Sequence, residues 1–117
     1  MIQEEPIFFE DLALSDDVLD ALYDMRFEKC TPVQARCIPP ILEGRDVIGI
    51  AQTGTGKTAA YLLPLLTLLK QESHPTDAVN CLVMAPTREL AQQIDQQIDG
   101  FTYFVSVSAV AVYGGTD

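Results

Sequence analysis

The stretch that most limits what this chain can fold into is Ala51-Gln52-Thr53-Gly54-Thr55-Gly56-Lys57-Thr58. A short apolar run, Val47 to Ile50, leads into it, and a longer apolar run from Ala59 to Leu69 follows. Strand, tight small-residue turn and helix in that order form a phosphate-binding loop. Small residues let successive backbone N–H groups point inward at phosphate oxygens, and the helix N-terminus adds partial positive charge. Lys57 is placed to reach the β- and γ-phosphates of a nucleoside triphosphate, and the Thr58 hydroxyl to complete the shell of a magnesium ion. Gly usually opens this pattern; here Ala51 stands in its place.

The rest of the chain reads as alternating helices and strands around that loop. Ser15 is a helix cap, followed by Asp16 and Asp17 in the first turn and an apolar stripe of Val18, Leu19, Leu22 and Met25. Thr31-Pro32-Val33-Gln34 has the form of a capping box opening a second helix, which the pair Pro39-Pro40 is expected to kink or restart before Gly44. The helix over 57–70 is apolar on nearly all sides and so is expected between layers, bent at Pro64. Residues 71–80 are polar, contain Pro75 and read as a loop, with His74 a solvated loop residue. Cys81 to Ala85 and Val105 to Val112 read as further strands, separated by a helix capped by Thr87 with the stripe Leu90, Ala91, Ile94, Ile98 and Phe101. This alternation predicts an α/β fold: a parallel sheet flanked by helices, in one domain. Residues 1–43 form an N-terminal extension and residues 44–117 a phosphate-loop core.

Charge and cysteine usage narrow the setting. The formal charge is −10, from 17 acids against 7 bases, which argues against a general electrostatic nucleic-acid binder. The acids concentrate near the start, where Glu4, Glu5, Glu10, Asp11, Asp16, Asp17, Asp20 and Asp24 occur without a Lys or Arg among them. Any polyanion contact is therefore expected to be local and away from that face. Three cysteines, Cys30, Cys37 and Cys81, show no Cys-x-x-Cys spacing, so neither a zinc site nor a disulfide framework is indicated. With no signal-peptide pattern and no apolar run long enough for a bilayer, a reduced cytoplasmic setting without membrane association is expected.

Taken together and in order, Phe27-Glu-Lys-Cys-Thr31-Pro32-Val33-Gln34, the loop 51–58, Pro86-Thr87-Arg88-Glu89-Leu90-Ala91 and Gly114-Gly115 resemble the N-terminal part of DEAD-box RNA helicases, within the first of their two RecA-like domains. The resemblance runs from about Phe9 to Gly115, and Ala51 is the residue the family carries there. It implies a P-loop NTPase sheet, ATP or ADP with Mg2+ as ligands, and RNA held through its sugar–phosphate backbone. Phe27, Thr31 and Gln34 look like the Q motif that selects adenine, with Phe9 as the upstream adenine-side aromatic. Gln34 is also explained as a helix cap, and Phe9 and Phe27 as core residues; both readings stand at this point. Pro86, Thr87 and Arg88 look like motif Ia, and with Gly114 and Gly115 would contact the RNA backbone; a cap, a surface charge and a plain turn are the competing readings.

Two positions depart from the family pattern: Arg26 replaces a Gly and Cys30 a Pro. Gly tolerates a positive φ and Arg does not easily, so Arg26 puts the local backbone in question. The Asp-Glu-Ala-Asp motif that would hold the metal and orient water is not in this sequence. The resemblance also implies that later strands lie between the phosphate-loop strand and the motif Ia strand. A sheet with that gap is incomplete, and its edges invite self-association. The stretch is thus expected to bind adenosine nucleotide without hydrolysing it efficiently. Two other classes compete: a phosphate-loop ATPase or small-molecule kinase unrelated to RNA, and a non-catalytic module that docks RNA or protein.

Overall fold

The computed structural model describes residues 5–52, 56–71, 75, 77–105 and 107–112. Four helices organise them: α1 (Asp16–Asp24), α2 (Pro32–Leu42), α3 (Lys57–Gln71) and α4 (Arg88–Phe101). A single 3-10 turn, Phe9–Asp11, precedes α1.

Helix α1 buries Val18, Ala21 and Leu22 and leaves Asp20 and Asp24 in solvent, as its periodicity dictates. Ser15 occupies the cap position, but its side chain makes no capping bond. Its backbone N–H instead donates to the Thr67 hydroxyl of α3 at 3.1 Å. An ion pair joins Lys70, in the last turn of α3, to Asp17, in the first turn of α1. Each charge sits at the helix end whose dipole favours it. The start of α1 is thereby pinned along α3.

The start of α2 is the capping box read from the sequence. The Gln34 N–H donates to the Thr31 hydroxyl at 3.5 Å, and the Thr31 N–H donates to Gln34 Oε1 at 2.9 Å. The restart expected as one outcome at Pro39-Pro40 does not occur; α2 is a single helix through both. Each lacks the N–H that would bond four residues back, so α2 forgoes two bonds there and runs on only to Leu42. Their carbonyls still accept, from Glu43 N–H at 3.2 Å and Arg45 N–H at 3.0 Å. Gly44, with φ +82°, then turns the chain out of the helix.

Helix α3 buries Leu62, Leu63, Pro64, Leu66 and Thr67, which fits its all-round apolarity. It packs most extensively on α2, with α1 and α4 also in contact. The core joins Phe9, Leu14, Val18, Leu22, Ile38, Leu63, Ile94, Phe101 and Val105.

The parallel sheet expected from the sequence is not formed among the described residues. Segments 47–50, 81–85 and 107–112 lie outside the helices and carry no strand ladder; the one bridge among the described residues is antiparallel, between Phe8 and Lys29. From Cys81 to Ala85 the side chains nonetheless alternate between half-buried and exposed, the period of a strand. Val83, Ala85 and Val107 pack on the core, while Leu82, Met84, Val110 and Val112 face solvent. Between these segments and the faces of α3 and α4 lies a cavity of about 1590 Å³. A strand's hydrogen bonds come from neighbours distant in sequence, and these segments lack such neighbours among the described residues.

Candidate functional site

The phosphate loop and the start of α2 meet through one side chain. Gln34 is 6% exposed, and its Nε2 donates to the Gly56 carbonyl at 3.1 Å while its Oε1 receives the Thr31 N–H. A single amide therefore caps α2 and ties it to the last residue before α3. Gly56 is required on two counts. Its φ is +79°, and a Cβ there would lie 2.2 Å from Gln34 Nε2. A second close approach lies just upstream, where a Cβ on Gly49 would sit 3.0 Å from the buried Cys37 sulfur. Residues on both sides of the loop thus pack directly on α2.

Lys57 opens α3 with an exposed side chain, and Thr58 follows, half-buried. Ala51 is half-buried and Gln52 exposed at the entrance to the loop. Thr53, Gly54 and Thr55 lie outside the described residues. One turn along α3 from Thr58, burial pushes the Tyr61 phenol above its usual pKa, while a hydrogen bond with the Thr58 side chain draws it down. The sequence reading missed Tyr61; its only signal was its place three residues after Thr58 on a helix. No group of three His, Cys, Asp or Glu among the described residues could hold a metal. One hydroxyl, from Thr58, fits a magnesium ion that takes its remaining ligands from phosphate oxygens and water.

The two candidate aromatics are placed differently. Phe9 is 4% exposed and belongs to the core, so its ring is not open to solvent here. Its backbone N–H donates to the Glu28 carbonyl at 2.9 Å, and Cys30 N–H donates to the Ile7 carbonyl at 2.8 Å. Segment 7–9 thus clips the connector 28–30 that leads into Thr31. Phe27 is 47% exposed and its ring meets that of Phe101 at the end of α4, with centroids 6.4 Å apart. Arg26, just before it, adopts φ +64°, the left-handed conformation that the sequence pattern reserves for Gly. Burial, with Asp11 adding, pushes the Cys30 thiol up to about 11, and burial also raises Cys81. Neither is a thiolate nucleophile near neutral pH.

At the far end of α4, the Thr87 hydroxyl accepts the Leu90 N–H at 3.1 Å and caps the helix. Pro86 and Arg88 flank it, both exposed. Helix α4 spans about 20 Å, so its two ends stand well apart, Thr87 and Arg88 at one and Phe101 behind Phe27 at the other. Gly114 and Gly115 lie outside the described residues. No helix among the described residues is long and apolar enough to cross a membrane.

A sequence model of the DEAD/DEAH box helicase family matches residues 31–117. The chain belongs to that family. It is 51% identical over 108 residues to the ATP-dependent RNA helicase DeaD of Escherichia coli strain K12, covering 92% of this chain and 17% of that protein. It is 47% identical over 109 residues to the DEAD-box ATP-dependent RNA helicase CshA of Bacillus cereus, covering 93% of this chain and 20% of that one. Among solved structures it matches the RNA helicase Prp28 from Chaetomium thermophilum bound to ADP, with a TM-score of 0.85 and 39% identity, over 98% of this chain and 29% of that one. A DEAD box protein from Methanococcus jannaschii matches with a TM-score of 0.82 and 31% identity, over 98% of this chain and 31% of that one. The fold of this helicase-family chain is thus similar to that of two solved helicase-family structures, and the chain spans about a fifth of the length of the proteins DeaD and CshA.

Proposed function

We propose that this chain is the adenosine-nucleotide-binding part of an ATP-dependent RNA helicase, in the first of two RecA-like domains. The observation that supports this reading is the Gln34–Gly56 hydrogen bond, which ties the start of α2 to the last residue before α3. In this reading Lys57 binds the β- and γ-phosphates, the loop from Ala51 to Gly56 offers its backbone N–H groups, and the Thr58 hydroxyl is the chain's ligand to Mg2+. Bound magnesium would neutralise charge on the phosphates. Gln34 keeps one N–H and one oxygen lone pair beyond its two bonds in the structure, enough to donate to and accept from the adenine edge. Phe27 offers its half-exposed ring to the base. Buried Phe9 acts by fixing the 28–30 connector and Thr31 the start of α2.

Thr87 and Arg88, with Pro86, Gly114 and Gly115, bind the RNA backbone without reading bases. Supporting this is the exposed, capped N-terminus of α4, where amides and a guanidinium can meet a phosphate. The full-length protein would couple ATP binding and hydrolysis to duplex unwinding or to remodelling of RNA–protein complexes. Without an Asp-Glu-Ala-Asp sequence, this stretch binds ATP or ADP and hydrolyses it negligibly. Three free cysteines support a reducing, cytoplasmic setting.

Lys57→Ala is expected to weaken ATP binding by about a hundredfold or more, measured by calorimetry with Mg2+. Unchanged affinity sinks the site assignment. RNA that leaves nucleotide affinity and turnover of the full-length protein untouched would move the reading to an ATPase unrelated to RNA.

A further inference from the structure

The ring of Phe27 has a backing that the phosphate loop and Gln34 do not supply. Phe101 is 2% exposed and lies against it at 6.4 Å with the two planes tilted by 48°. The Phe27 N–H donates to the Leu22 carbonyl at 2.9 Å, so the backbone of Phe27 is tied to α1 while its ring leans on α4. One residue before Phe101, the backbone of Gly100 presses on Met25: a Cβ at Gly100 would lie 3.0 Å from Met25 Cε and 3.2 Å from its sulfur. Met25 directly precedes the left-handed Arg26 that aims Phe27. The end of α4 is itself held, with the Thr102 hydroxyl donating to the Ile98 carbonyl at 2.7 Å.

We propose that Phe101 is a positioning residue for base recognition, holding the Phe27 ring where it meets the nucleobase, with Gly100 seating α4 against the Met25–Arg26 turn. The proposal rests on the adenosine reading above. A half-exposed ring without a fixed backing loses orientation before it loses contact area, and orientation is what an aromatic–base stack requires. The triphosphate end is read by Lys57 and the loop and does not pass through Phe101.

The test measures affinities of the full-length protein for ADP, GDP and inorganic tripolyphosphate, in wild type, Phe101→Leu and Gly100→Ala. Phe101→Leu is expected to weaken ADP binding by about fivefold to tenfold and to leave tripolyphosphate binding unchanged. Retention of the wild-type ADP affinity, or equal loss for all three ligands, overturns the proposal. Gly100→Ala carries the test should Phe101→Leu fail to fold, because Ala favours the helix while its methyl displaces the Met25 thioether. A smaller loss of ADP affinity at unchanged or higher Tm is expected, and unchanged ADP affinity there overturns the proposal equally. A wild-type protein that binds tripolyphosphate but shows no preference for ADP would remove the adenosine reading and this one with it.

Discussion

Residues 7–52 with α3, and residues 78–112, are built on opposite principles. In the first region two helix starts are held by another part of the chain, Ser15 by Thr67 and Gly56, just before α3, by Gln34, and the third is closed by its own capping box of Thr31 and Gln34. Leu22, Ile38 and Leu63 are fully enclosed there. In the second region α4 sends Ile94 and Phe101 into the same core, but the segments flanking it show Val79, Leu82, Met84, Val110 and Val112 to solvent. The exceptions in the first region make the same point. Ile48 and Ile50 are each 93% exposed, and they too belong to a segment expected to be a strand. Helices close their hydrogen bonds within themselves and need neighbours only for packing. Strands need neighbours for both, so a sheet element without its partners leaves apolar side chains bare.

The largest effect that tests this contrast is a matched pair of truncations. Leu63→Ala empties a fully buried position and is expected to lower stability by about 3 kcal/mol in urea unfolding. Met84→Ala removes a comparable side chain that is 84% exposed and is expected to change stability by less than about 0.5 kcal/mol. Equal losses would break the comparison, since they would mean that Met84 is as enclosed as Leu63.

A smaller effect sharpens the first region alone. Arg26 is held at φ +64°, and a side chain in that conformation costs about 1–2 kcal/mol relative to the right-handed well. Arg26→Gly removes the strain but frees the unfolded chain, so a net gain of about 1 kcal/mol is expected, read as a higher Tm. A lower Tm would show that contacts of the arginine side chain outweigh the backbone.

What could be read from sequence follows the same division. The Thr31–Gln34 box and the Thr87 cap were readable because donor and acceptor are three residues apart on one helix. The strain at Arg26 was readable as a departure from glycine. The Gln34–Gly56 bond was not, because its partners are 22 residues apart and meet only when α2 packs on α3. Phe9 was left open between an adenine-side ring and a core residue; its depth follows from the clip with Glu28, a contact 19 residues away along the chain that no local pattern announces. The run of α2 through Pro39 and Pro40 was missed because proline's cost, a lost N–H bond and a clash with the preceding turn, is local, while the packing of α2 on α3 that overrides it is not visible in the pattern. For the sheet, side-chain alternation from Cys81 to Ala85 followed from the residue pattern, while the ladder depends on partners that pattern does not contain.

The smallest expected effect on stability has the largest bearing on the bare face. We propose that the exposed segments draw copies of this chain together, because backbone without a ladder among the described residues, beside apolar side chains, is a template for strand addition. Changing Leu82 and Met84 together to Thr keeps β-propensity and removes apolar area from the solvent side alone. Stability should move by less than about 0.5 kcal/mol, since neither side chain is enclosed. Light scattering after size exclusion should nonetheless show a shift toward monomer, because the contact between copies loses its apolar half while each copy keeps its core. If the double variant associates as the wild type does, the apolar face is not what joins the copies. If the wild type is a monomer throughout, exposed edges alone do not suffice, and Val83, Ala85 and Val107, which pack inward, already hold these segments to the helices firmly enough to resist strand addition.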